Sequence, residues 1–256
     1  MTHLVTIAGA GSAAPHFARR LAAAGYPLCN LSDGDSEPAS LDLLLLMPRD
    51  IMQCEELLFE QARFARRTKG PAVIILSANL SPRYVAALRA RISKEITLID
   101  ALPVGTPREI ENGQCDILLG GTLASVTALS GLFACLGQSQ AHMGAFGTAT
   151  AAKTLRDCFA AATSAMTRSA LDWASAQGIE EGRLVRLLDS SFTAGQPRTF
   201  GDNAAMVAST LPGDNAGATL VRNVESALDL ALKGVHLTPP QNLTKGFAST
   251  RSRHLH

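Results

Sequence analysis

An excess of charge of either sign is missing from this chain: 23 Lys and Arg stand against 22 Asp and Glu, and no basic block breaks the balance. Such a molecule has no long-range field to draw in nucleic acid or an anionic membrane. Aromatic residues are few as well, with Trp173, Tyr26 and Tyr84 beside nine Phe. That is too thin for a base-stacking or sugar-binding surface. The five cysteines lie at least twenty residues apart, which excludes a C-x-x-C pair and zinc-ligand spacing, so no metal site is expected. Their odd number fits a reducing compartment. The opening residues, MTHLVTIAGAGSAAP, lack the basic region and continuous apolar run of a secretory signal, and a cytoplasmic location is expected. One uncharged stretch, Ile117 to Leu136, has the ~20 residues needed to cross a bilayer. Gly120, Gly121, Thr122, Ser125, Thr127, Ser130 and Gly131 interrupt it, however, and it reads as a short strand (Ile117 to Leu119), a Gly-Gly turn and a buried helix.

What is present is apolar substance: 46% of the 256 residues are hydrophobic, enough for one large or two modest domains with a real core. Strand-like and helix-like patterns alternate through the first half, as β-α units of a parallel sheet do. Strands are predicted at Leu4 to Ala8, Leu28 to Asn30, Leu41 to Met47, Ala72 to Leu76 and Ile96 to Ile99, with helices over Pro15 to Ala24 and Ile51 to Arg67. A further helix opens at Pro82 behind a Ser81 cap. From about Thr148 to Gln177 the pattern is one long Ala-rich helix closed by Gly178, and shorter helices follow at Glu181 to Ser190, Asp202 to Ala208 and Thr219 to Leu232. The expected architecture is a parallel α/β domain over residues 1–143 and an all-helical domain over 144–256. The apolar face of Leu123 to Leu136 is a candidate subunit interface.

The strongest chemical signal is Gly9-Ala10-Gly11-Ser12-Ala13-Ala14, a G-x-G-x-x-G/A turn directly after a strand and opening a helix. Gly9 permits the turn, Gly11 admits a pyrophosphate to the backbone, and Ala14 keeps helix and strand close, while the helix N-terminus favours the anion. About twenty residues on, where an acid or a 2′-phosphate-binding base is expected, stand Asn30, Leu31 and Ser32, then Asp33. Neither signature is clean, so NAD and NADP stay open. The decapeptide Leu31 to Ser40 is polar and turn-rich, too short for a helix and a strand, and the nucleotide-binding unit is expected to be abbreviated. His16 and His142 flank glycine turns, and neither is taken as the proton carrier.

With Pro48, Ser81-Pro82, Asp100-Ala101, Gly113 and Lys153 added, the chain resembles the β-hydroxyacid dehydrogenase family, which includes 3-hydroxyisobutyrate dehydrogenase, from Leu4 to about Pro240. The resemblance implies an abbreviated Rossmann-type domain joined by the long helix to the all-helical one, in an NAD(P)-dependent oxidoreductase, NADP slightly preferred, that acts on a small β-hydroxyacid and dimerises through its helical part. LLLMPRD (Leu44 to Asp50) is similar to the family's strand and Leu-Pro loop, which places Met47 and Pro48 beside the cofactor. Ala78-Asn79-Leu80-Ser81-Pro82 resembles its Ser-Thr-x-Ser-Pro, with Asn79 on the nicotinamide side. Asp100-Ala101-Leu102-Pro103-Val104-Gly105-Thr106 is similar to Asp-Ala-Pro-Val-Ser-Gly-Gly if Leu102 is an insertion. Val104, Gly105 and Thr106 then face the substrate, and the serine is absent. Gly144 to Lys153 resembles the segment leading into the catalytic lysine, implying Lys153 as general acid or base, and Asp157 stands where the family has an Asn. A carboxylate one helical turn away opposes the neutral lysine. The missing serine and this altered pair also fit an imine reductase on the same fold, or a regulatory protein that binds a dinucleotide without catalysis.

Overall fold

The computed structural model describes residues 4–31, 42–66 and 70–186. The chain divides into two compact units, Met1–Thr154 and Leu155–His256. The first holds a seven-stranded sheet: β1 (Val5–Ala8), β2 (Leu28–Leu31), β3 (Leu43–Leu46), β4 (Val73–Leu76), β5 (Thr97–Val104), β6 (Asp116–Gly120) and β7 (Ser139–Gly144). Their order is β2-β1-β3-β4-β5-β6-β7. All neighbours are parallel except β5 and β6.

The central strands are apolar on both sides because helices cover both sides. Alternation along each strand sorts the side chains. Val5, Ile7, Leu43, Leu45, Ile75 and Ile99 join the core shared with Phe17 and Leu21 of α1 (Ala14–Ala23). Ala8, Leu44, Leu46, Ile74, Leu76 and Leu98 join the core on the other face, with Cys54 of α2 (Ile51–Glu55) and with Val85 and Leu88 of α3 (Pro82–Arg91). Leu43 to Leu46 are each at most 2% exposed, and burying one such side chain contributes about 1.5–3 kcal/mol. A bidentate pair from Arg91 to Glu55, at 2.5 and 2.7 Å, ties α3 to α2.

Each strand predicted for the first half is present, and β5 runs five residues further than expected, to Val104. The stretch expected as one helix over Ile51 to Arg67 is broken: α2 passes into a π-helical turn at Glu56–Glu60, then a 3-10 turn at Phe64–Arg66. The extra residue in the π turn rotates the stripe, so Phe59 and Phe64 are buried while Ile51 is 40% exposed. At α3 the Ser81 hydroxyl makes no capping bond, and Pro82 alone marks the start. Leu123 to Leu136 forms two helices, α5 (Leu123–Ala128) and α6 (Ser130–Leu136). Their apolar residues Val126, Leu132, Phe133 and Leu136 pack into the core of this chain's own sheet, which accounts for the face read as an interface. Two elements went unforeseen, β7 and α4 (Pro107–Asn112).

The helix α7 (Thr148–Ala176) covers the length expected of it. Beyond it, residues 181–186 of the second unit are helical. The predicted helices Asp202 to Ala208 and Thr219 to Leu232 lie outside the described residues.

Candidate active site

One lateral row crosses the whole sheet. Leu31 pairs with Ala8, Ala8 with Leu46, Leu46 with Leu76, Leu76 with Asp100, Asp100 with Gly120, and Gly120 with Gly144. Past this row the parallel strands β1, β3 and β4 end, and the segments marked by the sequence begin together: Gly9 to Ala14 after β1, Met47 and Pro48 after β3, Asn79 after β4. β1 is the strand from which the order departs in both directions, the position where open α/β sheets form their binding crevice.

The glycine turn is built against Met47. Gly9 has φ +110°, a conformation that costs a side chain-bearing residue steric strain. Gly11 N–H donates to Met47 O at 2.7 Å, and Met47 N–H donates to Ala8 O at 2.7 Å. Gln53, only 2% exposed, had no place in the sequence reading, yet its Oε1 accepts from both Ala10 N–H (3.1 Å) and Arg49 N–H (2.9 Å). Asp50 caps the same helix by accepting from Gln53 N–H at 2.8 Å. The Asp50-x-x-Gln53 spacing is that of a capping box, the signal by which Gln53 could have been found. Ser12 and Ala13 N–H have no partner among the described residues, and these are the donors at the start of α1 that an anion would meet. The cradle therefore fits a pyrophosphate.

Of the residues expected on the adenosine side, Asn30 and Leu31 end β2, and Ser32 lies outside the described residues. β2 is the outermost strand of the described sheet beside β1, which agrees with an abbreviated unit. Asn79 is exposed beyond β4.

The β5–β6 register runs unbroken through Asp100, Ala101, Leu102, Pro103 and Val104, and Leu102 is 2% exposed. The motif's serine position holds Gly105 with Leu102 as an insertion, or Val104 without one, and neither carries a hydroxyl. The Thr106 hydroxyl is engaged locally: it accepts from Glu109 N–H, and Glu109 Oε2 accepts from Thr106 N–H, a closed capping box for α4. Lys153 is half-buried on α7. Asp157 stands one turn on and pairs with Arg156 at 3.3 Å. His16 lies 3.5 Å from Arg19, and His142 Nε2 is 2.9 Å from Gly121 O. Among the described residues no group of three or more His, Cys, Asp or Glu could hold a metal ion, and no helix is long and apolar enough to cross a membrane.

No protein-family model matches the chain. A mitochondrial 3-hydroxyisobutyrate dehydrogenase from Drosophila melanogaster is 28% identical over 120 residues, covering 46% of this chain and 37% of that relative. The match thus spans well under half the length of the curated relative. Among solved structures, a 3-hydroxyisobutyrate dehydrogenase from Mycobacterium tuberculosis superimposes with TM-score 0.78 at 16% identity, covering 99% of this chain and 95% of that one. An imine reductase from Myxococcus stipitatus superimposes with TM-score 0.64 at 16% identity, covering 92% and 96%. The resemblance read from the order of the motifs thus meets a likeness in sequence over part of the chain and a likeness in fold over nearly all of it: this chain has the Rossmann-type fold of the 3-hydroxyisobutyrate dehydrogenases.

Proposed function

We propose that this protein is an NAD(P)-dependent oxidoreductase that transfers hydride between the nicotinamide and a small β-hydroxyacid or related carbonyl compound. The observation that carries the reading is the glycine turn, bonded to Met47 at the crevice of the sheet and leaving Ser12 and Ala13 N–H for a pyrophosphate. From β1 to β5 is three strand spacings, about 14 Å, along which Met47, Pro48 and Asn79 line the path from the turn. Bound NAD(P)H would supply the hydride, and Lys153 would give a proton to the substrate oxygen, or remove it in the reverse direction. Asp157, one turn further along α7, would tune that lysine. NADP is slightly preferred to NAD, and no metal takes part. A dinucleotide-binding domain over 1–143, an all-helical domain over 144–256, a homodimer and a cytoplasmic location complete the reading.

The absence of the motif's serine, whose place falls to Val104 or Gly105, favours a second reading, an imine reductase acting on a substrate without a carboxylate. Titration with NADPH and NADH, followed by turnover of hydroxyacids, semialdehydes and cyclic imines, separates the two. Binding followed by reduction of one substrate class is expected. Binding without turnover of any member points to a catalytically degenerate, regulatory protein, and absence of binding at millimolar nucleotide overturns the proposal.

A further inference from the structure

Asp100 is 0% exposed in the middle of β5, where an ionised carboxylate is costly unless its oxygens are hydrogen-bonded. All three of its donors among the described residues come from the start of α7. Gly147 N–H donates to Oδ1 at 2.7 Å, and Thr150 N–H and Thr150 Oγ1 donate to Oδ2 at 2.7 and 2.9 Å. Among the described residues no Lys or Arg pairs with it. The carboxylate is matched instead to the orphan N–H groups and the positive end of a helix dipole. Gly120 on β6 completes the seat: a Cβ there would collide with Asp100 Oδ1 and stand 2.9 Å from Ala145 O and 3.0 Å from Ala149 N. Only a glycine lets the first turn of α7 rest this closely on the sheet.

We propose that Asp100 is the positioning residue for Lys153, an inference that rests on the reaction proposed above. Two oxygens holding two residues, Gly147 and Thr150, fix both the height and the rotation of the helix. Lys153 follows Thr150 by three residues, about 4.5 Å along the axis, so the seat sets where the ammonium stands relative to the row of strand ends. The Thr154 hydroxyl donates to Thr150 O at 2.9 Å and carries the constraint onward. A misplacement of about 1 Å at a reacting group costs on the order of 100-fold in rate.

The full-length Asp100→Asn and Thr150→Val proteins test this. The amide puts a donor in place of an acceptor opposite Thr150 N–H, whereas the valine removes one of the three bonds and keeps the charge. Three readouts are compared with the parent: NADPH affinity, kcat, and the rate of amine labelling at Lys153 relative to the exposed Lys94, read by mass spectrometry. For Asp100→Asn we expect affinity within about twofold, kcat lower by about 100-fold and a relative labelling rate changed at least about threefold. Thr150→Val moves the same way by less. Folded variants with unchanged kcat and labelling overturn the proposal, as does a parallel loss of affinity and kcat, which marks general destabilisation. If Asp100→Asn does not fold, Thr150→Val decides alone. Should the parent turn over no substrate, the proposed reaction fails, and the labelling still decides whether Asp100 governs Lys153.

Discussion

Gly11 and Met47 meet backbone to backbone, the N–H of one donating to the carbonyl of the other at 2.7 Å. A Cβ on Gly11 would stand 2.7 Å from that same oxygen and 3.3 Å from its carbon, and neither atom is the movable end of a side chain. Gly11→Ala therefore pushes the turn off the loop after β3. We expect a loss of about 1–3 kcal/mol in stability and at least a tenfold loss in NADPH affinity, measured by urea unfolding and nucleotide titration. Unchanged affinity would show that the turn does not hold the cofactor.

Removal of the proposed proton carrier separates chemistry from binding. Lys153→Ala lowers kcat by 100- to 10,000-fold, the usual contribution of a general acid or base, and leaves NADPH affinity within a factor of about two. A variant with parental kcat excludes the role.

Val104, proposed to face the substrate beside the missing serine, gives a directional test. Val104→Ser supplies a hydroxyl where a substrate carboxylate would sit. A hydrogen bond to a charged group contributes about 1.5–3 kcal/mol, so kcat/KM for hydroxyacids rises about tenfold or more while that for cyclic imines does not. If both classes respond alike, Val104 lies away from the substrate.

Inside the sheet, Thr6 of β1 is 0% exposed, and its Oγ1 has no hydrogen-bond partner among the described residues. Valine has the same shape without the desolvated hydroxyl. Thr6→Val is expected to be neutral or to stabilise by about 1 kcal/mol in chemical denaturation. A loss larger than that would reveal a partner for the hydroxyl.

Two groups on the α2–α3 face give stability a pH dependence of opposite sign. Burial pushes the Cys54 thiol up from 9.0 to about 11. Its folded-state pKa lies above the unfolded one, so its contribution is complete below pH 9 and is lost as pH rises toward 11. The hydrogen bond from Arg91 holds Glu55 below its ordinary 4.5, so that contribution is present at neutral pH and is lost as pH falls below 4.5. Unfolding midpoints across pH should flatten on the alkaline side in Cys54→Ala and on the acid side in Glu55→Gln.

The parts of the fold most readily read from sequence are those whose burial is uniform. Leu43 to Leu46 are apolar throughout, and Val5 to Ala8 apolar but for Thr6, because both faces are covered. β7 defied the same reasoning: Ser139 to Gly144 is largely exposed, so neither an apolar run nor an alternation marks it. α4 buries no residue, and its trace in the sequence is Thr106-Pro107-x-Glu109, a capping box with a proline at the first helical position. The site divides in the same way. The glycine turn is local and legible, whereas the bond from Asp100 to Gly147 joins residues 47 apart. The motif Asp100-Ala101 carried the resemblance but not the job its carboxylate does, since only the sheet register brings it under α7.

The row from Leu31 to Gly144 also bears on how such a protein can change. The cradle at β1 and the seat of α7 at β5 stand about 14 Å apart, beyond the 7–10 Å within which substitutions usually interact. Alterations at the two ends should thus combine additively, allowing cofactor choice and reaction chemistry to diverge separately on a scaffold whose middle strands need only stay leucine- and isoleucine-rich.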